Sequence, residues 1–255
     1  MKPVATVEIK SPTEIGMMRE AGAIVAAALR VVSEAVVPGV STAELDRIAE
    51  AEILRRKAKP AFLNYRGYPA TLCVSLNDEV VHGIPRRDRI VAAGDIVSLD
   101  LGCVLRGYFA DAAVTVPAGK TSREALELIA ATRQALAAAV EQMRPERRLG
   151  DIGHAIQEAV EPKGFSVVRA FVGHGIGRAL HEDPPVPNVG RAGTGLRLVP
   201  GMVLALEPMI NQGVPEIRVL GDGWTAVTAD GKLSAHFEHS VTVTSDGPEI
   251  LTIAE

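Results

Sequence analysis

Two hydrophobic rhythms alternate along the chain, and the alternation occurs twice. Ser11-Pro12-Thr13-Glu14 forms a capping box with proline at the first helical position, which marks a helix start. The apolar spacing that follows predicts an amphipathic helix to about Val36, closed by Pro38-Gly39. Ser41-Thr42-Ala43-Glu44 opens a second helix to about Arg56. Aromatic and turn residues at 62–69 then lead into strand patterns at 71–75 and 79–82. After Gly119 the order restarts. Ser122-Arg123-Glu124-Ala125 begins an Ala/Leu-rich helix to about Met143, and a shorter helix covers 151–161. Strand patterns return at 165–172, 202–206, 217–220 and 235–244. Helices grouped ahead of antiparallel hairpins predict an α+β fold with internal pseudo-symmetry, although the halves share no evident sequence identity. No low-complexity linker parts them. A single domain over residues 11–255 is expected, after an N-terminal extension of residues 1–10.

The most informative stretch runs from Asp100 to Asp111, where two apolar runs flank a turn signal at Leu105-Arg106-Gly107. A loop centred on Leu105-Arg106 puts Val104 opposite Gly107, Phe109 opposite Gly102 and Asp111 opposite Asp100. Opposed side chains have Cβ atoms roughly 4.5–5.5 Å apart, so two ionised carboxylates there repel. A cation between them, or a proton on one, removes the conflict. The expectation is a metal site with two ions.

The second half offers further polar groups where a core strand prefers apolar ones. His174 lies in Gly173-His174-Gly175-Ile176-Gly177, and glycines permit close backbone approach and unusual dihedrals. His181 follows seven residues later. Glu207 ends the apolar run 202–206 just before Pro208, and an unpaired buried carboxylate is costly. In 235–244, Phe237, Val241 and Val243 share one face, and Glu238, Ser240, Thr242 and Thr244 the other. Asp100 shares a face with Ser98, and Asp111 with Thr115. Taken singly, each of these fits a structural histidine, a solvated strand end or a solvent-facing sheet. Together, Asp100, Asp111, His174, Glu207 and Glu238 form an oxygen-rich set with one nitrogen and no thiolate. That set suits Mn²⁺, Fe²⁺, Co²⁺ or Zn²⁺ in a two-metal hydrolytic site. Bridging carboxylates hold such ions roughly 3.5–4 Å apart, close enough to share and acidify a water.

Other patterns fail. Gly119-Lys120-Thr121 resembles the end of a P-loop, but Val114 stands where the first glycine belongs. Arg178 occupies the last glycine position of a dinucleotide fingerprint, and no Gly-x-Ser-x-Gly or His-Glu-x-x-His occurs. A net charge of −4 without strong asymmetry argues against nucleic-acid or anionic-membrane partners. Only Cys73 and Cys103 occur, both inside apolar runs, which excludes a disulfide framework and points to a reducing cytoplasm. No signal-peptide core and no membrane span are recognisable. A cytoplasmic monomer is expected.

The order and spacing of Asp100, Asp111, His174, Glu207 and Glu238 resemble the five metal ligands of the pita-bread metallopeptidases. Asn64-Tyr65-Arg66-Gly67-Tyr68-Pro69, Val81-His82-Gly83-Ile84-Pro85, Gly173-His174-Gly175-Ile176-Gly177, Leu206-Glu207-Pro208-Met209 and Ala229-Asp230-Gly231-Lys232 narrow the likeness to the type I methionine aminopeptidases. No large insertion precedes the final glutamate, as it does in type II enzymes. The resemblance implies a pseudo-twofold pita-bread fold, two divalent ions (Co²⁺, Mn²⁺, Fe²⁺ or Zn²⁺) and removal of the initiator methionine from nascent chains with a small second residue. Asp100 would chelate one ion, Asp111 and Glu238 bridge both, and His174 and Glu207 complete the other shell. Glu207 would shuttle the proton, His181 steady the oxyanion, and His82 contact the scissile amide or next residue. Tyr65, Tyr68, Cys73 and Trp224 would line the methionine pocket, and a transient ribosome contact is a further implied partner. Phe62, Arg66 and Leu180 depart from the cysteine, histidine and phenylalanine of many bacterial relatives, which alters the pocket rim. The alternatives are a proline-specific pita-bread peptidase and a non-catalytic pita-bread binding module.

Overall fold

The computed structural model describes residues 7–253. Residues 1–6 of the expected extension lie outside that range. Four helices form where serine caps and apolar spacing place them: α1 Pro12–Glu34, α2 Thr42–Arg55, α3 Arg123–Glu141 and α4 Leu149–Val160. Ser11, Ser41 and Ser122 each accept a backbone N–H from three residues on, satisfying a donor that the helix leaves free. Only Ser11 completes the reciprocal box, because the Glu44 carboxylate turns to Arg47 instead. No helix among the described residues is long and apolar enough to cross a membrane.

A nine-stranded antiparallel sheet crosses both halves. Its order is Lys59–Pro60, Ile96–Leu105, Tyr108–Pro117, Glu238–Val243, Val203–Leu206, Gly173–Gly175 and Glu182–Val186. Leu72–Leu76 also pairs with Ile96–Leu105, and Pro248–Ile250 with Glu238–Val243. Helices α1 and α2 bury Val25, Leu29, Leu45 and Ile53 against Leu99, Leu101 and Ala110 of the long hairpin. Helices α3 and α4 do the same for the second half, packing Leu128, Ile152 and Ile156 near Leu204, Leu206 and Val241. One face of the sheet is thus sealed by helices. The other holds the polar residues.

Three sequence expectations change. The hairpin turn is Arg106-Gly107, with Leu105 opposite Tyr108, so Val104 faces Phe109, Gly102 faces Asp111 and Asp100 faces Ala113. Both turn residues have positive φ, 51° and 83°. A two-residue hairpin turn of this kind wants glycine at its second position, and centring on Leu105-Arg106 would force Leu105 into that region instead. The run 235–244 divides at Phe237, because Ser234–His236 pairs with Met209–Asn211 in a separate sheet while Glu238–Val243 joins the large one. The run 165–172 keeps only Ser166–Val167 as strand.

The shared polar face is not solvent-facing. Ser98, Thr115, Ser240 and Thr242 are buried and bonded internally. Ser98 Oγ lies 2.8 Å from Thr115 Oγ1, which donates to the His236 carbonyl at 2.8 Å, and Ser240 Oγ donates to the Asp111 carbonyl at 2.9 Å.

Candidate metal centre

Strand register decides which acidic groups meet. One row across the sheet reads Cys73, Asp100, Ala113, Glu238. The next reads Gly102 opposite Asp111, whose backbone is bonded to Ser240, then Ala205 and His174. Asp100 and Glu238 therefore share a row with only alanine between them, and Asp111 shares the other with His174. Glu207 follows directly on the Val203–Leu206 strand and reaches His174, with Oε1 3.7 Å from Nε2. The small residues Gly102, Ala113, Ala205 and Ser240 separate the acids and leave space above the sheet.

Two glycines bring His174 into this array. A Cβ at Gly173 would lie 2.3 Å from the Ala205 carbonyl oxygen, and one at Gly175 would lie 2.2 Å from the Asp183 oxygen. Neither has a positive φ, so close strand approach, rather than unusual dihedrals, is what they supply. His174 Nδ1 lies 2.9 Å from the Gly175 carbonyl, which can only accept. The proton is therefore on Nδ1, and the Nε2 lone pair faces the acids, as a metal-ligating imidazole requires.

Asp111, His174 and Glu238 are buried and offer ligand atoms that all lie within 4.8 Å of one another. Asp100 Oδ1, Asp111 Oδ1 and Glu238 Oε1 are buried without a hydrogen-bond partner among the described residues. Orphaned carboxylate oxygens cost free energy, and several together repel. Burial pushes Asp100 up to about 7. Burial first, then the neighbouring carboxylates, push Asp111 and Glu238 well above the usual range, and burial with Asp100 does so for Glu207. His174 is pushed down to about 4 by burial and then by His181, so it stays neutral near pH 7. A divalent cation fits this donor set, since it satisfies the orphaned oxygens and removes the repulsion.

Above the acids lies a cavity of about 150 Å³. All eleven residues singled out by sequence as ligands, catalytic groups or pocket lining border it. Tyr65 and His181 stack at 5.2 Å, with the Tyr65 hydroxyl 2.8 Å from His181 Nδ1. Tyr68 is buried, its hydroxyl donating to the Gly83 carbonyl at 2.9 Å, and its ring meets Trp224 edge-on at 5.1 Å. His82 adopts a positive φ of 61°, an uncommon conformation that clusters at functional sites. Burial holds His82 down at about 4, and burial followed by the charge of Arg66 lowers His181.

The model of metallopeptidase family M24 matches residues 16–245. A methionine aminopeptidase of Clostridium acetobutylicum is 50% identical over 247 residues, covering 97% of this chain and 99% of its own. Methionine aminopeptidase 1 of Bacillus subtilis is 48% identical, over 95% and 98% of the two chains. The crystal structure of a methionine aminopeptidase from Thermotoga maritima superposes with a TM-score of 0.96 at 48% identity, covering 97% of this chain and all of the other (100%). The chain belongs to the methionine aminopeptidases of metallopeptidase family M24. Its curled antiparallel sheet with helices on the outer face is the pita-bread fold of that family. A prolidase from Pyrococcus furiosus shares the fold alone, with a TM-score of 0.79 and 24% identity, and this chain spans 66% of it.

The cavity of this methionine aminopeptidase also takes in Phe62, Arg66 and Leu180, which the motifs flagged only as departures. Phe62 closes over Gly102, where an added Cβ would lie 2.8 Å from its ring. Phe171, singled out by no motif, meets His82 edge-on at 5.2 Å. Its signal in the sequence is only an aromatic residue ahead of a glycine.

Proposed function

We propose that this methionine aminopeptidase works with two divalent ions and acts on chains whose second residue is small. Asp100 would hold one ion, His174 and Glu207 the other, and Asp111 and Glu238 would serve both. The observation that supports this is the convergence of three carboxylate oxygens without a partner among the described residues and a lone-pair-bearing His174 Nε2 beneath a small, aromatic-walled cavity. When bound, the ions supply a Lewis acid for the scissile carbonyl and acidify the attacking water.

The protein's own groups do the rest. Glu207, whose affinity for a proton is raised by burial, accepts one from the attacking water and passes it to the leaving amine. His181 takes the tautomer in which Nδ1 accepts from the Tyr65 hydroxyl, 2.8 Å away, and its Nε2–H stabilises the oxyanion. His82, neutral near pH 7, contacts the scissile amide or the next residue. Tyr65, Tyr68, Cys73 and Trp224 surround the methionine side chain, whose flexible, polarisable thioether suits an aromatic-lined pocket. A cavity of about 150 Å³ supports one side chain of that size and leaves little room for a bulky neighbour. Residues 11–255 form the single catalytic domain of a cytoplasmic monomer. Its substrates are nascent polypeptide N-termini, met in transient contact with the ribosome.

The test combines metal content with peptide cleavage. Two equivalents of metal at full activity, and Met-Ala-Ser cleaved far faster than Met-Leu-Ser, are expected. Full activity with one equivalent would refute the paired ions, and equal rates on both peptides would refute the preference for a small residue. Cleavage of Gly-Pro in place of Met-Ala-Ser would make it a proline-specific enzyme.

A further inference from the structure

His181 sits in an irregular segment, residues 176–181, between two strands. Its side chain is tied to the cavity wall through Tyr65. The backbone beneath it is fixed by the residue that follows. Glu182 Oε1 accepts the N–H groups of Arg178 at 2.6 Å and Ala179 at 3.0 Å. Glu182 Oε2 accepts from Lys10 Nζ at 2.5 Å. The Lys10 side chain is 1% exposed and that of Glu182 13%, so this pair is little screened by water. Lys10 Nζ also meets Glu8 at 3.3 Å, while the Lys10 N–H donates to the Gly201 carbonyl at 2.8 Å. Arg178 pairs with Glu14 at 2.8 Å, but its side chain is 58% exposed, and a screened pair of that kind holds a loop weakly.

Lys10 passes directly over the start of the segment. A Cβ at Gly177 would lie 2.2 Å from Lys10 Cε and 3.0 Å from Glu182 Oε1. From the opposite side, the Gly177 carbonyl accepts the Phe109 N–H at 2.8 Å, two residues from Asp111 on the same strand. The segment is thus clamped between the carboxylate hairpin and a buried ammonium delivered from ahead of α1.

We propose that Lys10 is a positioning residue, which acts through Glu182 to hold His181 where it meets the reacting carbonyl. This rests on the oxyanion role assigned above to His181. An ammonium that merely stabilised the fold would alter melting temperature and leave turnover by the folded enzyme unchanged. A positioning residue lowers kcat, leaves KM and metal content alone, and loses its effect once His181 is gone.

A double-mutant cycle on the metal-loaded enzyme tests this. His181→Ala is expected to lower kcat by roughly 10²–10³-fold. Lys10→Met is expected to lower it by roughly 10- to 10²-fold at unchanged KM, the scale of a small misplacement. The double variant should be no slower than His181→Ala alone. Gly177→Ala, which displaces the Lys10 stem without removing its charge, should reproduce the kcat loss and serves where Lys10→Met does not fold. Wild-type kcat in both Lys10→Met and Gly177→Ala, beside a slow His181→Ala, would overturn the positioning role alone. So would losses that multiply in the double variant. Wild-type kcat in His181→Ala would instead overturn the role of His181 itself.

Discussion

Asp111 stands opposite Gly102, and Asp100 lies diagonally across from it, facing Ala113. Diagonal neighbours in an antiparallel pair sit roughly 7–8 Å apart, against 4.5–5.5 Å for residues directly opposed. The backbones of the two acids are thus offset, yet their carboxyl groups still meet, and Asp100 is the first neighbour, after burial, to raise the proton affinity of Asp111.

Asp111 has its Oδ1 buried without a partner among the described residues, and its side chain lies close to both His174 and Glu238. Asp111→Asn replaces one charged oxygen with an amide that cannot bridge. Loss of a group merely bonded to a metal ligand costs roughly 10- to 10²-fold in metal affinity or activity, and loss of a bridging ligand should exceed that. The expected result is turnover near background with reduced metal content by elemental analysis. Near-normal activity at full metal loading would remove Asp111 from the site.

His174 reaches the cluster only because its strand lies against Val203–Leu206 without an intervening side chain. Gly173→Ala places a methyl 2.3 Å from the Ala205 carbonyl oxygen, and backbone cannot yield as a flexible side chain does. A destabilisation of roughly 1–3 kcal/mol is expected, the cost of forcing extra volume into packed structure. Metal affinity should fall with it, because His174 shifts with the strand. Thermal melting and metal titration check the two effects, and unchanged values in both would show that the strand has slack.

The helix starts were legible because serine caps act over three residues, and Ser11, Ser41 and Ser122 bond as their spacing implies. The acids stood out because carboxylates in strand patterns need a reason. The pairing of Asp100 differs from the sequence expectation by one step of the turn, since Arg106 and Gly107 are the residues that take the positive φ. Moving the turn centre by one residue shifts partners by two and preserves the face, so both acids remain on the same side. The break at Phe237 leaves no trace in the two-residue rhythm, because the partner strands, distant in sequence, decide which sheet each part joins. Lys10 is invisible for the same reason. Nothing in Glu8-Ile9-Lys10 itself marks Lys10 for burial, which comes from its partners Glu182 and Gly201.

Tyr65 supports His181 through a single hydrogen bond of 2.8 Å. Tyr65→Phe keeps the stacked ring and removes only the hydroxyl, so the imidazole loses the hydrogen-bond partner of its Nδ1. A typical hydrogen bond contributes about 0.5–1.5 kcal/mol, which corresponds to a fall in kcat of roughly 2- to 12-fold. KM for a Met-Ala peptide should change little. A loss as large as that of His181→Ala would mean that Tyr65 itself meets the reacting atoms.

The buried acids also set how the metal-free protein responds to pH. In the fold, Asp100 keeps its proton to about 7, and Asp111, Glu207 and Glu238 are pushed well above the usual range. Unfolded carboxyls release theirs near pH 4, so the folded form binds more protons and its stability falls as pH rises toward the raised values. Histidines act in the opposite sense. His82, His174 and His239 are held down at about 4 and His236 at about 3, chiefly by burial, so their contribution is full above about pH 6.5 and is lost as pH falls toward 4. Above pH 7 these four histidines are neutral in both states, while the raised carboxyls still titrate. Burial of the Cys73 and Cys103 thiols, which pushes both up, adds a smaller loss of the same sign as unfolded thiols begin to ionise. Chelator-treated protein should therefore melt at a lower temperature at pH 8.5 than at pH 7, whereas metal-loaded protein, with cations in place of those protons, should lose much less. Metal uptake at pH 7 should release protons, measurable by calorimetry in two buffers of different ionisation enthalpy. A metal-free melting temperature that stays level or rises from pH 7 to 8.5 would mean the acids are already ionised without metal, and the strain assigned to their orphaned oxygens would be absent.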